Sequence, residues 1–179
     1  MTSIARMDDP AAVAARQTEA AREEAPSFEV FFERERPRLF RALLVLTHNG
    51  HEADELLQDA FCKLWERWDA VGTMADPTGY LYRTAMNGYR SGLRRAVRAG
   101  RARVHLVPMP DPFEEVAIRD EAYRALARLT RRRRSAIVLV DLLGFDSAEA
   151  GRILGIRAGT VRRLVSQART MLAEEGRDA

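Results

Sequence analysis

The sequence predicts an all-α protein of two small helical domains joined by a flexible linker, the C-terminal one ending in a helix-turn-helix. Three observations carry this. Apolar residues recur at three-and-four spacing along most of the chain, with no alternating strand pattern. The pattern breaks between Ala99 and Pro112, where Gly100 is followed by arginines and by Pro108, Pro110 and Pro112. The stretch from Asp146 to Arg169, DSAEAGRILGIRAGTVRRLVSQAR, then reads as a helix, a tight turn and a second helix. A length of 179 residues allows one or two domains with modest cores. The expected divisions are a leader at 1–26, a first domain at 27–98, a linker at 99–112 and a second domain at 113–175.

The leader is alanine-rich with scattered charges and few large apolar residues, so it is expected to be mobile. Phe28, Phe32, Leu39, Leu43 and Leu46 trace a first helix that His48, Asn49 and Gly50 end, with Gly50 at the turn. Ala53, Leu56, Leu57, Ala60, Phe61, Leu64, Trp65 and Trp68 form a second, unusually wide apolar face. Most of it suits the core of a three-helix domain, and part of it suits a partner. Asp76 and Pro77 start a third helix through Tyr80, Leu81, Thr84, Ala85 and Leu93. Extended at roughly 3.3 Å per residue, a linker of 14 residues reaches about 46 Å. Helices over Phe113–Leu129 and Arg131–Leu143 follow, and the helix-turn-helix closes the chain. There is no internal repeat.

Asp146 and Glu149 form a capping-box pattern at the start of the helix-turn-helix. Ile153 and Leu154 face inward, and Gly155 stands where the chain must turn through positive φ. Val161, Leu164, Val165, Ala168 and Leu172 pack the second helix, leaving Arg157, Thr160, Arg162, Arg163, Ser166 and Arg169 on its free side. Arginines bind phosphate or the acceptor edge of guanine in two-pronged fashion, and hydroxyls read several base edges. A solvated basic face is the plainer reading of the same residues.

Charge is unevenly spread. The net charge is +3, yet from Glu121 to the end twelve arginines face seven acids, giving +5, while residues 1–26 carry three arginines and five acids, giving −2. The basic end coincides with the helix-turn-helix, which makes DNA the first partner to consider. The third helix interleaves Tyr80, Tyr82 and Tyr89 with Arg83, Asn87, Arg90, Arg94, Arg95 and Arg98. That mixture suits unpaired bases and phosphates, and it equally suits a solvated arginine face with tyrosines half in the core.

No apolar run approaches the roughly 20 residues that span a bilayer, and no signal core precedes Ala25. A single cysteine, Cys62, allows no internal disulfide and points to a reducing compartment, so a cytoplasmic protein without membrane insertion is expected. Cys62 sits among apolar neighbours as a packing residue. His48 and His51 lack further ligands and are expected at the surface or as caps, so no metal and no cofactor are expected. With no phosphate loop, paired catalytic carboxylates or nucleophile motif, the chain is not expected to be an enzyme.

Over residues 27–172 the order of parts resembles the extracytoplasmic-function group of bacterial RNA polymerase sigma factors, in the sigma-70 family. DELLQDAFCKLWERW, Asp54 to Trp68, looks like the family's polymerase-binding helix. PTGYLYRTAMNGYRSGLRR, Pro77 to Arg95, looks like the helix that reads and opens the upstream edge of the transcription bubble. GFDSAEAGRILGIRAGTVRRLVSQAR resembles the reader of the minus thirty-five element. The resemblance implies sigma domain 2 at 27–98 and sigma domain 4 at 113–175, and transcription initiation at a restricted set of promoters. It implies a polymerase-facing patch of Asp54, Leu57, Gln58, Phe61 and Trp65 with an exposed apolar centre. Arg83, Asn87, Arg90 and Arg94 would engage the minus ten element, with the loop Asp69 to Asp76 shaping the pocket. Arg157, Thr160, Arg162, Arg163 and Ser166 would read the minus thirty-five element. Core RNA polymerase, promoter DNA and an anti-sigma factor are the implied partners.

Ser91 stands where the family usually has aspartate, and Ala150 and Gly151 replace a larger apolar residue and alanine. A mid-helix glycine costs about 1 kcal/mol relative to alanine, so the second domain is expected to be less stable than its relatives. Both DNA-reading surfaces can be masked in the free protein if the two domains pack together. The alternative is a stand-alone helix-turn-helix transcription regulator, which needs neither the DELLQDAF segment nor the aromatic–arginine helix.

Overall fold

The computed structural model describes residues 27–98 and 123–175, and all described secondary structure is helical. The leader and the linker expected at 99–112 lie outside the described residues. Helix α1 spans Phe28–Thr47 and is N-capped by Ser27. Its end departs from expectation. The left-handed residue is His48, at φ 55°, while Asn49 caps and Gly50 opens the next helix, α2, Gly50–Trp65. His48 is the C-cap of α1, one of the two places expected for it, and is buried there; His51 is exposed, the other expected place, and pairs with Glu55. After α2 the chain breaks at Arg67 into one turn, α3, Trp68–Val71, so the wide apolar face belongs to two elements.

Helix α4, Pro77–Arg98, begins with proline in its first turn, where no amide partner is needed. The Asp76 carboxylate accepts the Gly79 amide at 2.7 Å. The second half holds a helical stretch, α5, at 123–128, then α6, Arg131–Ile137, which runs into a π-helical turn, Val138–Leu142. The sequence reads as one helix there because the apolar period continues. Gly144, at φ 79°, ends it.

Helix α7, Ser147–Leu154, carries the capping box in full. The Asp146 carboxylate accepts the Ala148 and Glu149 amides at 2.7 and 2.8 Å, and Glu149 returns to the Asp146 amide at 2.8 Å. Gly155 takes φ 63°, and α8, Ala158–Glu175, follows. Gly151 has a reason to be glycine. A Cβ there would lie 2.8 Å from the Ile156 carbonyl oxygen, backbone that holds the turn through its own Ile156 N–H to Gly151 O bond of 3.0 Å. The glycine therefore fits the turn, where a larger residue would press on that backbone.

One apolar cluster runs through both halves. Leu39, Leu43, Leu81 and Tyr82 from the first share it with Val138, Leu139, Leu143, Ile153 and Leu154 from the second. The rings of Tyr82 and Phe145 meet edge to face at 5.1 Å. The two halves therefore pack directly on each other, yet the expected masking does not follow: Arg83, Asn87, Arg94, Arg157, Arg162, Arg163 and Ser166 stay exposed, and of the reading residues only Arg90 and Thr160 are half-buried.

Candidate nucleic-acid interface

On the helix-turn-helix, apolar residues decide which face is free. Val161, Leu164, Val165 and Ala168 are buried, so Arg157, Arg162, Arg163 and Ser166 are exposed and Thr160 is half-buried. A shallow groove of about 430 Å³, lined by Ser147, Arg162, Val165, Ser166, Arg169 and Thr170 among others, runs beside them. Arg169 is not free: it makes a two-pronged pair with Asp141 of the π turn, at 2.7 and 3.1 Å.

On α4, the residues read from sequence separate into two groups. Arg83, Asn87 and Arg94 are exposed, and Arg94 donates to the Ser91 hydroxyl at 2.9 Å. Arg90 is half-buried and donates to the Leu154 carbonyl at 2.7 Å, at the end of α7. Burial, then the charges of Arg94 and Arg132, lower its pKa from the ordinary arginine value. Tyr82 and Tyr89 belong to the core, which decides the open reading of these rings in this arrangement. Tyr89 donates to the Leu46 carbonyl at 3.0 Å and Tyr82 to Glu35 at 3.4 Å. Burial, with the Glu35 charge adding, pushes the Tyr82 phenol well above its ordinary range. Tyr80 stays half-buried and lines a hollow of about 380 Å³ with Glu66, Arg67, Asp69, Val71 and Met74.

The apolar centre expected at the surface of α2 is inside. Leu57 and Phe61 are each 4% exposed, because α1 and α4 cover this wide face from two sides. Trp65 remains 58% exposed, its ring 4.7 Å from Phe28. Gln58, exposed, donates to half-buried Asp54 at 2.6 Å. Cys62 is exposed, contrary to its reading as a packing residue; its apolar sequence neighbours turn to the other side of the helix.

Sequence reasoning missed the polar residues at the junction. Glu35 is 1% exposed between Arg34, at 3.0 Å, and Arg38, at 3.6 Å. Arg38 also donates to the Leu143 carbonyl at 3.1 Å. Arg134, 8% exposed, donates to the carbonyls of Leu126 (2.7 Å), Ala127 and Leu129 (3.1 Å) in its own half and of Leu46 (3.3 Å) in the other. Helical phase was the available signal. Glu35 lies four residues from Phe31 and from Leu39, and Arg134 three and four before Ile137 and Val138, all buried.

Residues 31–99 match the family model of sigma-70 region 2, and residues 119–172 match that of sigma-70 region 4. The chain is 31% identical to the ECF RNA polymerase sigma factor SigM of Mycobacterium tuberculosis, over 82% of this chain and 76% of that protein. It is 27% identical to the RNA polymerase sigma-E factor of Streptomyces coelicolor, over 83% and 85% of the two. Among solved structures it is similar to the sigma factor RpoE of Bartonella quintana, crystallised with the anti-sigma factor NepR. There the TM-score is 0.72 at 25% identity, covering 82% of this chain and 94% of that one. Both regions match in order, which does not favour a stand-alone regulator. The chain therefore belongs to the extracytoplasmic-function group of the sigma-70 family, whose part is to bind core RNA polymerase and direct promoter-specific transcription initiation.

Proposed function

We propose that residues 27–98 bind core polymerase and read the minus ten element, and that residues 113–175 read the minus thirty-five element as duplex. The carrying observation is the exposed row Arg157, Arg162, Arg163 and Ser166, with Thr160, on a helix whose opposite side is buried. Asp54, Gln58 and Trp65 face the polymerase. Leu57 and Phe61 set their spacing from beneath, as a patch gains register from what supports it. Arg83, Asn87, Arg90 and Arg94 engage the minus ten element, and the hollow beside Tyr80 takes an unstacked base, which polar contacts and ring stacking can hold.

In this reading the chain has no catalytic role of its own and works in the cytoplasm, next to its polymerase. No described helix is long and apolar enough to cross a membrane. RpoE of Bartonella quintana is held by an anti-sigma factor, and a protein of that kind regulates this chain by covering its polymerase or DNA faces. Run-off transcription with purified core polymerase, with and without the chain, tests the reading. Discrete new starts that shift or weaken with Arg162→Ala and Arg163→Ala support it. Starts indifferent to both substitutions remove the reader assignment.

A further inference from the structure

Along α8, Arg162, Ser166 and Arg169 recur at spacings of four and three, so they form one exposed stripe on a single flank of the helix. That flank borders the groove of about 430 Å³, whose other side is formed by Val140 of the π turn and Ser147 of α7. A reading helix meets base edges through its N-terminal residues. Arg169 follows Arg162 by two turns, about 10.5 Å of helix at roughly 1.5 Å per residue, and at that distance a side chain on the same flank is level with the sugar–phosphate backbone rather than the bases. Arg162 reaches no carboxylate among the described residues. Arg169 does: its Nη2 and Nε donate to both carboxylate oxygens of Asp141, at 2.7 and 3.1 Å.

Asp141 lies in the π turn, where the Leu143 amide reaches back five residues to the Val138 carbonyl, at 3.0 Å, instead of four. Widened turns of this kind concentrate at functional sites. The Asp141 side chain is 35% exposed against 61% for Arg169, so the carboxylate is the better anchored of the two. An ion pair this open adds little to folding stability. Its effect is on orientation and charge, because two parallel N–H···O bonds fix the plane of the guanidinium. Held in this way, Arg169 brings no net positive charge to a phosphate. Swinging free would leave the Asp141 carboxylate facing that same phosphate as a like charge.

We propose that Asp141 is a positioning residue that holds Arg169 off the DNA backbone, so that α8 meets duplex with one phosphate contact fewer than its arginines offer. This role rests on the proposed reading of the minus thirty-five element by residues 113–175. Phosphate contacts carry no sequence information directly and supply the salt-dependent affinity common to every duplex. Asp141 therefore limits the sequence-independent part of DNA binding, while Arg157, Arg162 and Arg163 remain available for base edges.

The test uses the chain reconstituted with core RNA polymerase and two duplexes titrated over a range of KCl. One duplex carries the region upstream of a start found by run-off transcription, and the other has that region scrambled. Asp141→Asn tightens both alike, several-fold, and steepens the fall of log affinity with log salt by about 0.9, the effect of one phosphate. Asp141→Glu, which keeps the charge, retains the parent slope. The decisive comparison is a double-mutant cycle. Arg169→Gln removes the added slope in the Asp141→Asn background and leaves the slope unchanged when Asp141 is present. An equal fall in both backgrounds overturns the proposal by placing Arg169 on a phosphate already. No fall in either overturns it by making the gain in Asp141→Asn the work of the carboxylate alone. If both single variants weaken binding alike, the pair is only a brace between the π turn and α8, which also overturns it. A parent complex that does not distinguish the two duplexes removes the minus thirty-five reading itself, and the role of Asp141 with it.

Discussion

Arg134 aims one guanidinium nitrogen, Nη1, at two acceptors of the opposite half at once, the Leu46 carbonyl and His48 Nδ1, each 3.3 Å away. For Nδ1 to accept, the His48 ring must be neutral with its proton on Nε2, which is the atom that donates to Tyr123 O. A doubly protonated ring loses that acceptor and faces the guanidinium as a like charge.

Burial, then Arg134, lowers the His48 pKa from its ordinary 6.5, with the bonds to Tyr123 and Leu46 opposing. The neutral ring is favoured where the halves pack, so the contribution of His48 is fully present above the ordinary histidine range. It fades as pH falls through that range toward the depressed value of the packed chain. Nearby Glu52 acts in the opposite sense. Its pKa is raised by burial and then Glu55, against Arg131, so the packed chain gains from its protonation at lower pH. Tyr89, raised by burial, does not titrate in this window. Scattering measured as pH falls from about 7.5 to about 5.5 should therefore show expansion. His48→Asn, which tolerates the left-handed backbone, should abolish it; an identical pH response in that variant would show that another group is responsible.

Gly151→Ala should destabilise the second half by about 1–2 kcal/mol, because overpacking against the Ile156 carbonyl exceeds the helix-propensity gain. Gly92→Ala, where a Cβ meets nothing within 4 Å, should stabilise by up to about 1 kcal/mol. Thermal denaturation of the pair separates steric from propensity effects. Equal stabilisation of both would mean that the turn has room.

Trp65→Ala should weaken the complex with core polymerase while leaving the melting temperature nearly unchanged, since more than half of Trp65 is already exposed. Phe61→Ala should cost about 3–5 kcal/mol of folding stability. Affinity and denaturation curves measured together distinguish surface from support. A large stability loss in Trp65→Ala would place it with the core.

Arg162→Ala and Arg163→Ala should each cost about 1–3 kcal/mol if the arginine makes a two-pronged base contact, and should relax preference at one position of the minus thirty-five element. If it meets phosphate instead, binding weakens equally across sequences and the salt slope falls by about one. Titrations on a panel of singly substituted duplexes tell the two apart.

Local rules made much of this molecule legible. The capping box at Asp146 and Glu149 and the left-handed Gly155 depend on residues within a few positions of one another, and the structure holds both as read. The end of α1 misled because glycine is the usual left-handed residue; here His48 takes that conformation and is held by contacts from 75 and 86 residues away. Leu57 and Phe61 belong to an apolar stripe whose covered and uncovered parts are set by the packing of α1 and α4, information that periodicity does not contain. Arg134 stands in a run of four arginines that composition reads as solvated. Only its place one turn before buried Ile137 and Val138 marks it as different.

Arg38, Arg90 and Arg134 each reach across the halves to a main-chain carbonyl, an acceptor that no side-chain substitution removes. Mutational drift at Leu46, Leu143 or Leu154 can disturb packing but cannot delete a bond partner. Heritable control of how firmly the halves hold together therefore falls on Arg38, Arg90 and Arg134. Arg90 is the most constrained of them on the reading proposed above, since any change that loosens the contact there also alters how DNA is met. Selection for tighter or looser packing would find its freest adjustment at Arg38, a position remote from every reading face.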